Sequence, residues 1–255
     1  MRRKKDIFPD NIKQGLAFAH RGLHDLGLGI AENSLPAFER ACRYGFGIEL
    51  DVRLSKEGTP HVFHDATLKR VCGIKKQLSE LSDRDLRAVR LFSTDERIPT
   101  LAEMLDLIGG RVPLLVELKN DGNPKPFAKT VSAMLAEYKG FHLVQSFDPR
   151  LLREYSRRSP DTPCGLLATR LRENGEKIGR IIDFTLRNLM TGFIHRPDFI
   201  AFEYSKRARL SAFARRIIAT RPELGWTIRT PEDFQAARRD GVIPIFEGFI
   251  PGETV

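Results

Sequence analysis

The sequence predicts an α/β protein folded as a (β/α)8 TIM barrel. Short apolar or β-branched segments alternate with amphipathic helical patterns along the whole 255-residue chain. Eight of these segments are predicted strands, and the chain has the length that one barrel of this kind needs. The alternation, the number of strands and the length together favour a closed barrel over an open doubly wound sheet.

The predicted strands are short hydrophobic runs bounded by helical patterns or turn residues. In chain order they are Leu16–His20, Gly47–Val52, Val112–Lys119, His142–Ser146, Cys164–Ala168, Phe199–Glu203, Gly225–Ile228 and Ile243–Glu247. Their mostly apolar character is expected, because parallel strands of a barrel are covered on the outside by helices.

The helices between these strands have recognisable start and stop signals. Capping residues precede three helical patterns, at Asn33 or Ser34, at Thr100 with Glu103, and at Thr230 with Pro231. Gly45 and Gly241 end the first and the last of these helices. Two apolar stripes at helical spacing predict further helices: Phe127, Val131, Met134 and Leu135, and then Ile178, Ile181, Ile182, Leu186 and Leu189.

One segment interrupts the alternation. Only a tight turn at Lys56–Glu57 separates the second strand from another short strand, Pro60–His64, so these two should form an antiparallel hairpin. The expected register places His64 opposite Glu49. The stretch from Asp65 to Thr100 is longer than an ordinary barrel connection and has its own helical pattern after Ser82. We therefore expect one domain over residues 1–255, with a hairpin return strand and a small insertion at about 65–100.

Composition limits the classes of partner. The chain has 42 basic and 33 acidic residues, a net charge of +9 that favours anionic ligands. Basic residues are scattered without interleaved aromatics, so nucleic acid is not an expected partner. No apolar run has the length of a membrane span, and the basic N-terminus lacks a signal-peptide core. Three widely spaced cysteines predict reduced thiols, and the expected location is cytoplasmic.

Acidic side chains on two predicted strands point to a metal site. Alternate residues of a strand face the same side, so Glu49 and Asp51 should point into the barrel while their apolar neighbours face the helices. The same alternation places Glu117 and Lys119 inside from another strand. Clustered buried carboxylates require a cation, and oxygen ligands suit Mg2+ or Ca2+ better than Zn2+. The alternative is a structural network of carboxylates with lysine and arginine.

Two histidines should join this cluster. His20 ends the first predicted strand and His64 ends the hairpin return strand. A single strand histidine is more often structural than catalytic, but two that converge on three carboxylates at the C-terminal end of a barrel indicate an active site. The other four histidines, which lack such neighbours, are left without a role: His24, His61, His142 and His195.

Together with the motifs around them, these residues make the sequence resemble the glycerophosphodiester phosphodiesterase family, whose barrel is similar to that of phosphatidylinositol phosphodiesterases. The resemblance rests on motifs that occur in order, and it is most specific over the first 65 residues. The motifs are His20-Arg21-Gly22, Glu32-Asn33-Ser34 with Phe38, Glu49-Leu50-Asp51-Val52, Lys56-Glu57-Gly58, His64-Asp65, Glu117-Leu118-Lys119, Gln145-Ser146-Phe147-Asp148 and Trp226-Thr227-Ile228. Beyond about residue 150 it is reduced to single positions.

The resemblance implies metal-dependent hydrolysis of glycerophosphodiesters to sn-glycerol 3-phosphate and an alcohol, in lipid or glycerol metabolism. It implies a small-molecule substrate and a role for each residue that matches a family motif. Glu49, Asp51 and Glu117 would bind Mg2+ or Ca2+, His20 and His64 would be the acid and base, Arg21 and Lys119 would hold the phosphate, Glu32 or Asn33 would support the metal and substrate hydroxyls, and Trp226 would line the alcohol pocket. Trp226 could instead be a core residue.

Three positions depart from the family pattern. Ala31 replaces a proline, Arg229 stands where an asparagine is usual, and Glu247 lies where the family tends to have Thr-Asp. Arg229 at the barrel mouth would suit a substrate with additional negative charge. Two alternatives stay open, a lysophospholipase D-like enzyme that uses the insertion as a groove, and a catalytically silent barrel that binds a phosphate ligand. The alcohol, the metal, the order of the two histidines and the oligomeric state are not specified by the sequence.

Overall fold

The computed structural model describes residues 7–9, 15–119, 122–168, 196–209 and 220–253. Its strands are β1 Phe18–Ala19, β2 Gly47–Leu54, β3 Pro60–Val62, β4 Leu114–Leu118, β5 His142–Ser146, β6 Cys164–Ala168, β7 Phe199–Glu203, β8 Glu223–Ile228 and β9 Ile243–Phe246. All except β3 are parallel to their neighbours, and β1 pairs with both β2 and β9. The ring of eight parallel strands is closed, and the predicted TIM barrel is confirmed.

The strand boundaries agree closely with the prediction, and the differences lie at the ends. Strands β5, β6 and β7 begin and end at the predicted residues, whereas β1 is only two residues long. His20 follows β1 and its backbone N–H still donates to Phe246 O at 2.8 Å, so the ladder extends by one bond. Lys119 continues β4 in the same way through a 3.1 Å bond to Val52 O.

The helices are α1 Leu35–Tyr44, α2 Lys69–Cys72, α3 Asp83–Ala88, α4 Leu101–Ile108, α5 Pro124–Glu137, α6 Pro149–Arg158 and α7 Pro231–Arg239. Ser34, and not Asn33, caps α1, because its hydroxyl accepts from the Ala37 N–H. Gly45 ends α1 in the left-handed conformation that glycine adopts without strain. The predicted stripe from Ile178 to Leu189 lies outside the described residues.

The predicted hairpin is present, but its register is one residue away from the expected one. Val52 pairs with Val62, and Phe63 N–H donates to Asp51 O, so Phe63 lies beside Asp51 and His64 is not opposite Glu49 as expected. The turn that sets this register is closed by hydrogen bonds between Ser55 and Thr59 and contains Gly58 at a φ of 84°. Because register depends on turn geometry, the residue pattern alone was insufficient to predict it.

The segment between β3 and α4 forms a compact unit beside the barrel mouth. It contains α2, a 3-10 turn at Leu78–Glu80 and α3, which begins after Ser82 as the sequence indicated and is capped by that residue. Its apolar side chains form a cluster of their own, which includes Ala31 from the loop after β1 and Phe63 from the hairpin. These two side chains are among the contacts that connect the unit to the barrel.

Two apolar clusters account for the barrel's stability. One fills the interior with residues such as Phe18, Leu115 and Phe199, and the other lies between the strands and the helices. Ile48 and Leu50 belong to the outer cluster, which leaves the opposite face of β2 free for polar groups. None of the described helices has both the length and the apolar character needed to cross a membrane.

Candidate active site

Neighbouring strands bring the predicted acidic residues together. Strand β2 lies between β1 and β4, and Asp51 pairs directly with Glu117 across the β2–β4 ladder. Oxygen atoms of Glu49, Asp51 and Glu117 all lie within 4.8 Å of one another. The three side chains are 2%, 1% and 6% exposed. This is the arrangement that the alternation of β2 and β4 predicted, and it offers a divalent cation three hard oxygen ligands.

The three carboxylates are not equally compensated by positive charge. Lys119 Nζ lies 2.8 Å from Asp51 Oδ1 and 2.5 Å from Glu117 Oε1. Burial raises the pKa of Asp51, but Lys119, His64 and Arg21 together hold that pKa well below its ordinary value. Burial raises the pKa of Glu49 well above its ordinary value, and the nearby Asp51 and Glu117 raise it further. Glu49 is therefore the carboxylate that most lacks a cation.

Two residues with left-handed backbones surround this cluster. Arg21 has a φ of 55° and Asn33 a φ of 53°, a conformation that is strained for arginine and better tolerated by asparagine. Arg21 N–H donates to Glu49 Oε2 at 3.0 Å, and its side chain lies 3.5 Å from Asp51. Asn33 Nδ2 donates to Asp51 Oδ2 at 2.9 Å. Among the described residues, the buried Oδ1 of Asn33 has no hydrogen-bond partner.

His20 is held from behind by a carboxylate at the end of β9. Its Nδ1 lies 2.5 Å from Glu247 Oε2, and its Nε2 points toward Glu49 at 3.9 Å. Burial lowers the pKa of His20, and the bond to Glu247 opposes that effect. Arg229, for which the sequence suggested a match to additional negative charge on the substrate, donates to the same carboxylate at 2.8 Å. His24, to which no role was given, lies 3.8 Å from Glu247.

His64 is held in a similar way by the insertion. Its Nδ1 lies 2.6 Å from Asp65 Oδ1, and Arg70 on α2 donates to Asp65 at 2.7 Å. Arg70 also makes two hydrogen bonds to Glu32, which in turn accepts a 2.8 Å bond from Arg21. Burial raises the pKa of Asp65, but hydrogen bonds from His64 and Arg70 bring it below the ordinary range.

Trp226 occupies a different position from the charged residues. It lies on β8, packs edge-on against Phe147 with ring centroids 6.2 Å apart, and borders the interior apolar cluster. In the part of the chain that the structure describes, its buried Nε1 has no hydrogen-bond partner.

Three residues at this site were given no role by the sequence analysis: Asp65 and Glu247, which contact the candidate catalytic histidines, and Arg70, which contacts Asp65. Asp65 directly follows His64, and this adjacency was a usable signal for a side-chain contact. Glu247 lies 227 residues from His20, and only closure of the barrel brings them together. Arg70 carried no local signal, because its partners Glu32 and Asp65 come from separate loops.

Comparisons with known proteins agree with this geometry. The sequence model described as "Glycerophosphoryl diester phosphodiesterase family" matches residues 20–250. A glycerophosphodiester phosphodiesterase from Caldanaerobacter subterraneus subsp. tengcongensis is 33% identical over 165 residues, which are 60% of this chain and 66% of that protein. Lysophospholipase D GDPD1 of Rattus norvegicus is 31% identical over 126 residues, 44% of this chain and 39% of that protein.

A solved structure shares the fold along most of the chain. The phosphodiesterase of Oleispira antarctica, determined in complex with the product sn-glycerol-3-phosphate, has a TM-score of 0.72 and 22% sequence identity. The match covers 91% of this chain and 92% of that one. Because the family's sequence model matches nearly the whole chain, the resemblance that the motifs indicated is confirmed, and this protein belongs to the glycerophosphoryl diester phosphodiesterase family.

Proposed function

We propose that this protein hydrolyses glycerophosphodiesters to sn-glycerol 3-phosphate and an alcohol, with a divalent metal and two histidines. The observation that carries the proposal is the group of three buried carboxylates whose oxygens lie within 4.8 Å, with His20 Nε2 3.9 Å from Glu49. Three like charges in one buried site are costly without a cation. Family membership and the similarity to a glycerophosphodiester phosphodiesterase support the same reaction.

The residues around the cluster fit a divalent cation that prefers oxygen. Glu49, Asp51 and Glu117 would hold it, and the unpartnered Oδ1 of Asn33 is a further oxygen donor beside them. This donor set contains no sulfur or imidazole, which favours Mg2+ or Ca2+ over Zn2+. When bound, such an ion would neutralise negative charge on the phosphodiester.

The two histidines are proposed as the general acid and base. In each ring Nδ1 faces a carboxylate, of Glu247 for His20 and of Asp65 for His64, so Nε2 is the atom available to the substrate. A carboxylate behind the imidazole fixes both its orientation and its tautomer. One imidazole would take the proton of the attacking oxygen and the other would give a proton to the leaving alcohol.

Arg21 and Lys119 are proposed to hold the phosphate, since both are cations beside the cluster and are 15% and 10% exposed. Burial lowers the pKa of Lys119, but Asp51 and Glu117 raise it above its ordinary value, so its charge is retained.

Trp226 is proposed to contact the alcohol. We also propose that the chain is one barrel domain in which the 65–100 insertion supplies Asp65 and Arg70, and that it acts in the cytoplasm.

The test is release of glycerol 3-phosphate from a panel of glycerophosphodiesters with Mg2+, Ca2+ or EDTA. The wild type should release it only with metal, and His20→Asn and His64→Asn should each lower kcat by about a hundredfold or more. A matched control is His142→Asn, since His142 contacts Gly140 and Thr162 and not the candidate site. Binding of glycerol 3-phosphate without any hydrolysis would favour the silent phosphate-binding barrel instead.

A lysophospholipase D-like activity is the second candidate. Two observations favour it: the similarity to the rat lysophospholipase D, and an open groove lined partly by apolar side chains on the insertion. Both reactions would use the same carboxylates and histidines, so they differ only in what the rest of the substrate contacts.

A further inference from the structure

The insertion carries a groove that has no part in the chemistry described above. It has a volume of about 1050 Å3, near the upper end of the roughly 300–1,000 Å3 typical of ligand sites. Its floor consists of apolar side chains from the insertion's own cluster and its neighbours: Val71, Cys72, Ile74, Leu81, Val89 and Phe92. Burial raises the pKa of the Cys72 thiol to about 11, so this side chain stays neutral. The floor is therefore a suitable surface for hydrocarbon.

Positive charge surrounds this floor. The lining includes four exposed cations, Lys69, Lys76, Arg84 and Arg90, and none of them forms an ion pair within 4.0 Å with any described residue. The one carboxylate of the lining, Asp85, caps α3 with Ser82 and interacts electrostatically with Lys76 and Arg84, so the rim keeps a net positive charge. An apolar floor with a net cationic rim is complementary to a molecule that has both a hydrocarbon chain and negative charge.

Arg70 connects the groove to the candidate active site. Its guanidinium lies 5.9 Å from the ring centroid of Phe92 on the groove side. On the other side it bonds Glu32 and Asp65, whose carboxylates contact Arg21 and His64. Arg70, which lines the groove, is therefore separated by a single carboxylate from Arg21 and from His64, two residues proposed to act on the phosphodiester.

We propose that this groove binds the acyl chain of an anionic lysophospholipid whose phosphodiester lies at the carboxylate cluster. The chain would cover the apolar floor, and the cationic rim would favour a lipid with net negative charge over a zwitterionic one. This inference rests on the proposed phosphodiesterase activity and names the substrate class for its lysophospholipase D-like form. A deacylated diester would use the same catalytic residues without occupying the groove.

The experiment varies two properties of the substrate, the presence of an acyl chain and the net charge, with every lipid below its critical micelle concentration. The four substrates are glycerophosphoglycerol, glycerophosphocholine, lysophosphatidylglycerol and lysophosphatidylcholine. For the wild type, the acyl chain should raise kcat/KM by about tenfold or more, since each buried methylene favours binding about fourfold. The anionic lysolipid should be preferred over the choline lysolipid. An acyl chain without effect on kcat/KM would overturn the inference, even where both deacylated diesters are hydrolysed.

Two groove variants separate the floor from the rim. Ala88→Trp places a bulky ring in the groove at an exposed helix position and should remove the acyl advantage while preserving hydrolysis of glycerophosphoglycerol. Its matched control is Ala136→Trp, at an exposed position of α5. Arg84→Glu with Arg90→Glu should remove the preference for the anionic lysolipid, whereas Arg153→Glu on α6 should not. An acyl advantage that persists in Ala88→Trp would refute the assignment.

Failure of the underlying hydrolysis would be recognised separately. If no substrate is turned over, calorimetric binding of lysophosphatidylglycerol to the wild type and Ala88→Trp still tests the groove. Binding that Ala88→Trp weakens about tenfold would support the groove as a lipid site. Equal binding to both proteins, or binding only to anionic vesicles and not to the monomeric lipid, would overturn it.

Discussion

Replacing Glu49 with glutamine should stabilise the metal-free protein while it removes metal binding and activity. Glu49 is 2% exposed, and burial together with Asp51 and Glu117 raises its pKa well above the ordinary value. A carboxyl whose pKa is higher in the folded state contributes stability at low pH and loses it as the pH rises above about 4.5. At neutral pH the wild-type side chain is therefore a source of instability that the uncharged glutamine does not have.

The size of this effect is bounded by the pH range involved. The unfolded carboxyl ionises near 4.5, and each pH unit from there to 7 costs the folded state at most about 1.36 kcal/mol, or about 3.4 kcal/mol altogether. Part of this gain is lost, because the Arg21 N–H would donate to an amide oxygen instead of a carboxylate. The free energy of unfolding should therefore increase by an amount that stays below this limit. For a chain of this length the limit corresponds to a Tm increase of no more than about 10 °C.

Urea denaturation and thermal melting in EDTA measure this gain, and melting with added Mg2+ measures metal binding. A hundredfold excess of metal over its Kd should stabilise the wild type by about 2.7 kcal/mol and Glu49→Gln much less. Glu137→Gln, an exposed position at the end of α5, is the matched control and should change neither quantity.

Asp51→Asn provides the opposite case at the next inward position of the same strand. Asp51 contacts Lys119 and accepts a bond from Asn33, so this change leaves a buried lysine with one fewer partner. We expect it to cost about 3–5 kcal/mol in EDTA. Destabilisation of similar size in Glu49→Gln and Asp51→Asn would refute the reasoning that Glu49 is the carboxylate that most lacks a cation.

Three further predictions concern the histidines and the barrel interior. Glu247→Gln should lower kcat about 10–100-fold with little change in KM in steady-state assays, because a neutral amide orients His20 less firmly. Burial lowers the pKa of His61 below 6.5, so His61 binds a proton more readily in the unfolded chain than in the folded one. The free energy of unfolding, measured in urea, should therefore fall as the pH drops below 6.5, and it should fall less steeply in His61→Gln. Gly165→Ala should cost about 1–3 kcal/mol in urea denaturation, because its Cβ would lie 2.0 Å from the Phe199 ring.

Each of these has an outcome that contradicts it. If Glu247→Gln raises KM and preserves kcat, then Glu247 acts on substrate binding and not through His20. An unfolding free energy with the same pH slope in wild type and His61→Gln would show that His61 is already protonated at neutral pH or titrates normally. Addition of Phe199→Leu should recover part of the stability lost in Gly165→Ala, and a purely additive double variant would argue against the steric explanation.

The elements that the sequence predicted well are those with a local physical cause. Glu49 and Asp51 share a face because a strand alternates, and their apolar neighbours pack under the helices as expected. Ser34 caps α1 and Thr100 caps α4 because each hydroxyl accepts from an N–H within its own turn. A cause that acts within a few residues can be read from those residues alone.

The features that could not be predicted depend on contacts between distant segments. The hairpin register is set by the five-residue turn that Ser55 and Thr59 close, and several turn geometries are compatible with the same sequence pattern. The ion pair between Arg229 and Glu247 joins residues 18 positions apart at the ends of two different strands, and no local pattern indicated it. The contact of His24 with the same carboxylate also requires the closed ring.

The two candidate catalytic histidines have equivalent supports that arise from different parts of the fold. His20 depends on Glu247, which reaches it only because β9 closes the barrel against β1. His64 depends on Asp65 and Arg70, which belong to an insertion that packs against the barrel through contacts that include Ala31 and Phe63. In the proposed reaction Nε2 of both rings would face the substrate, so catalysis would require barrel closure and insertion docking at the same time. A substitution that loosens either one should therefore lower kcat even where the three clustered carboxylates are unchanged.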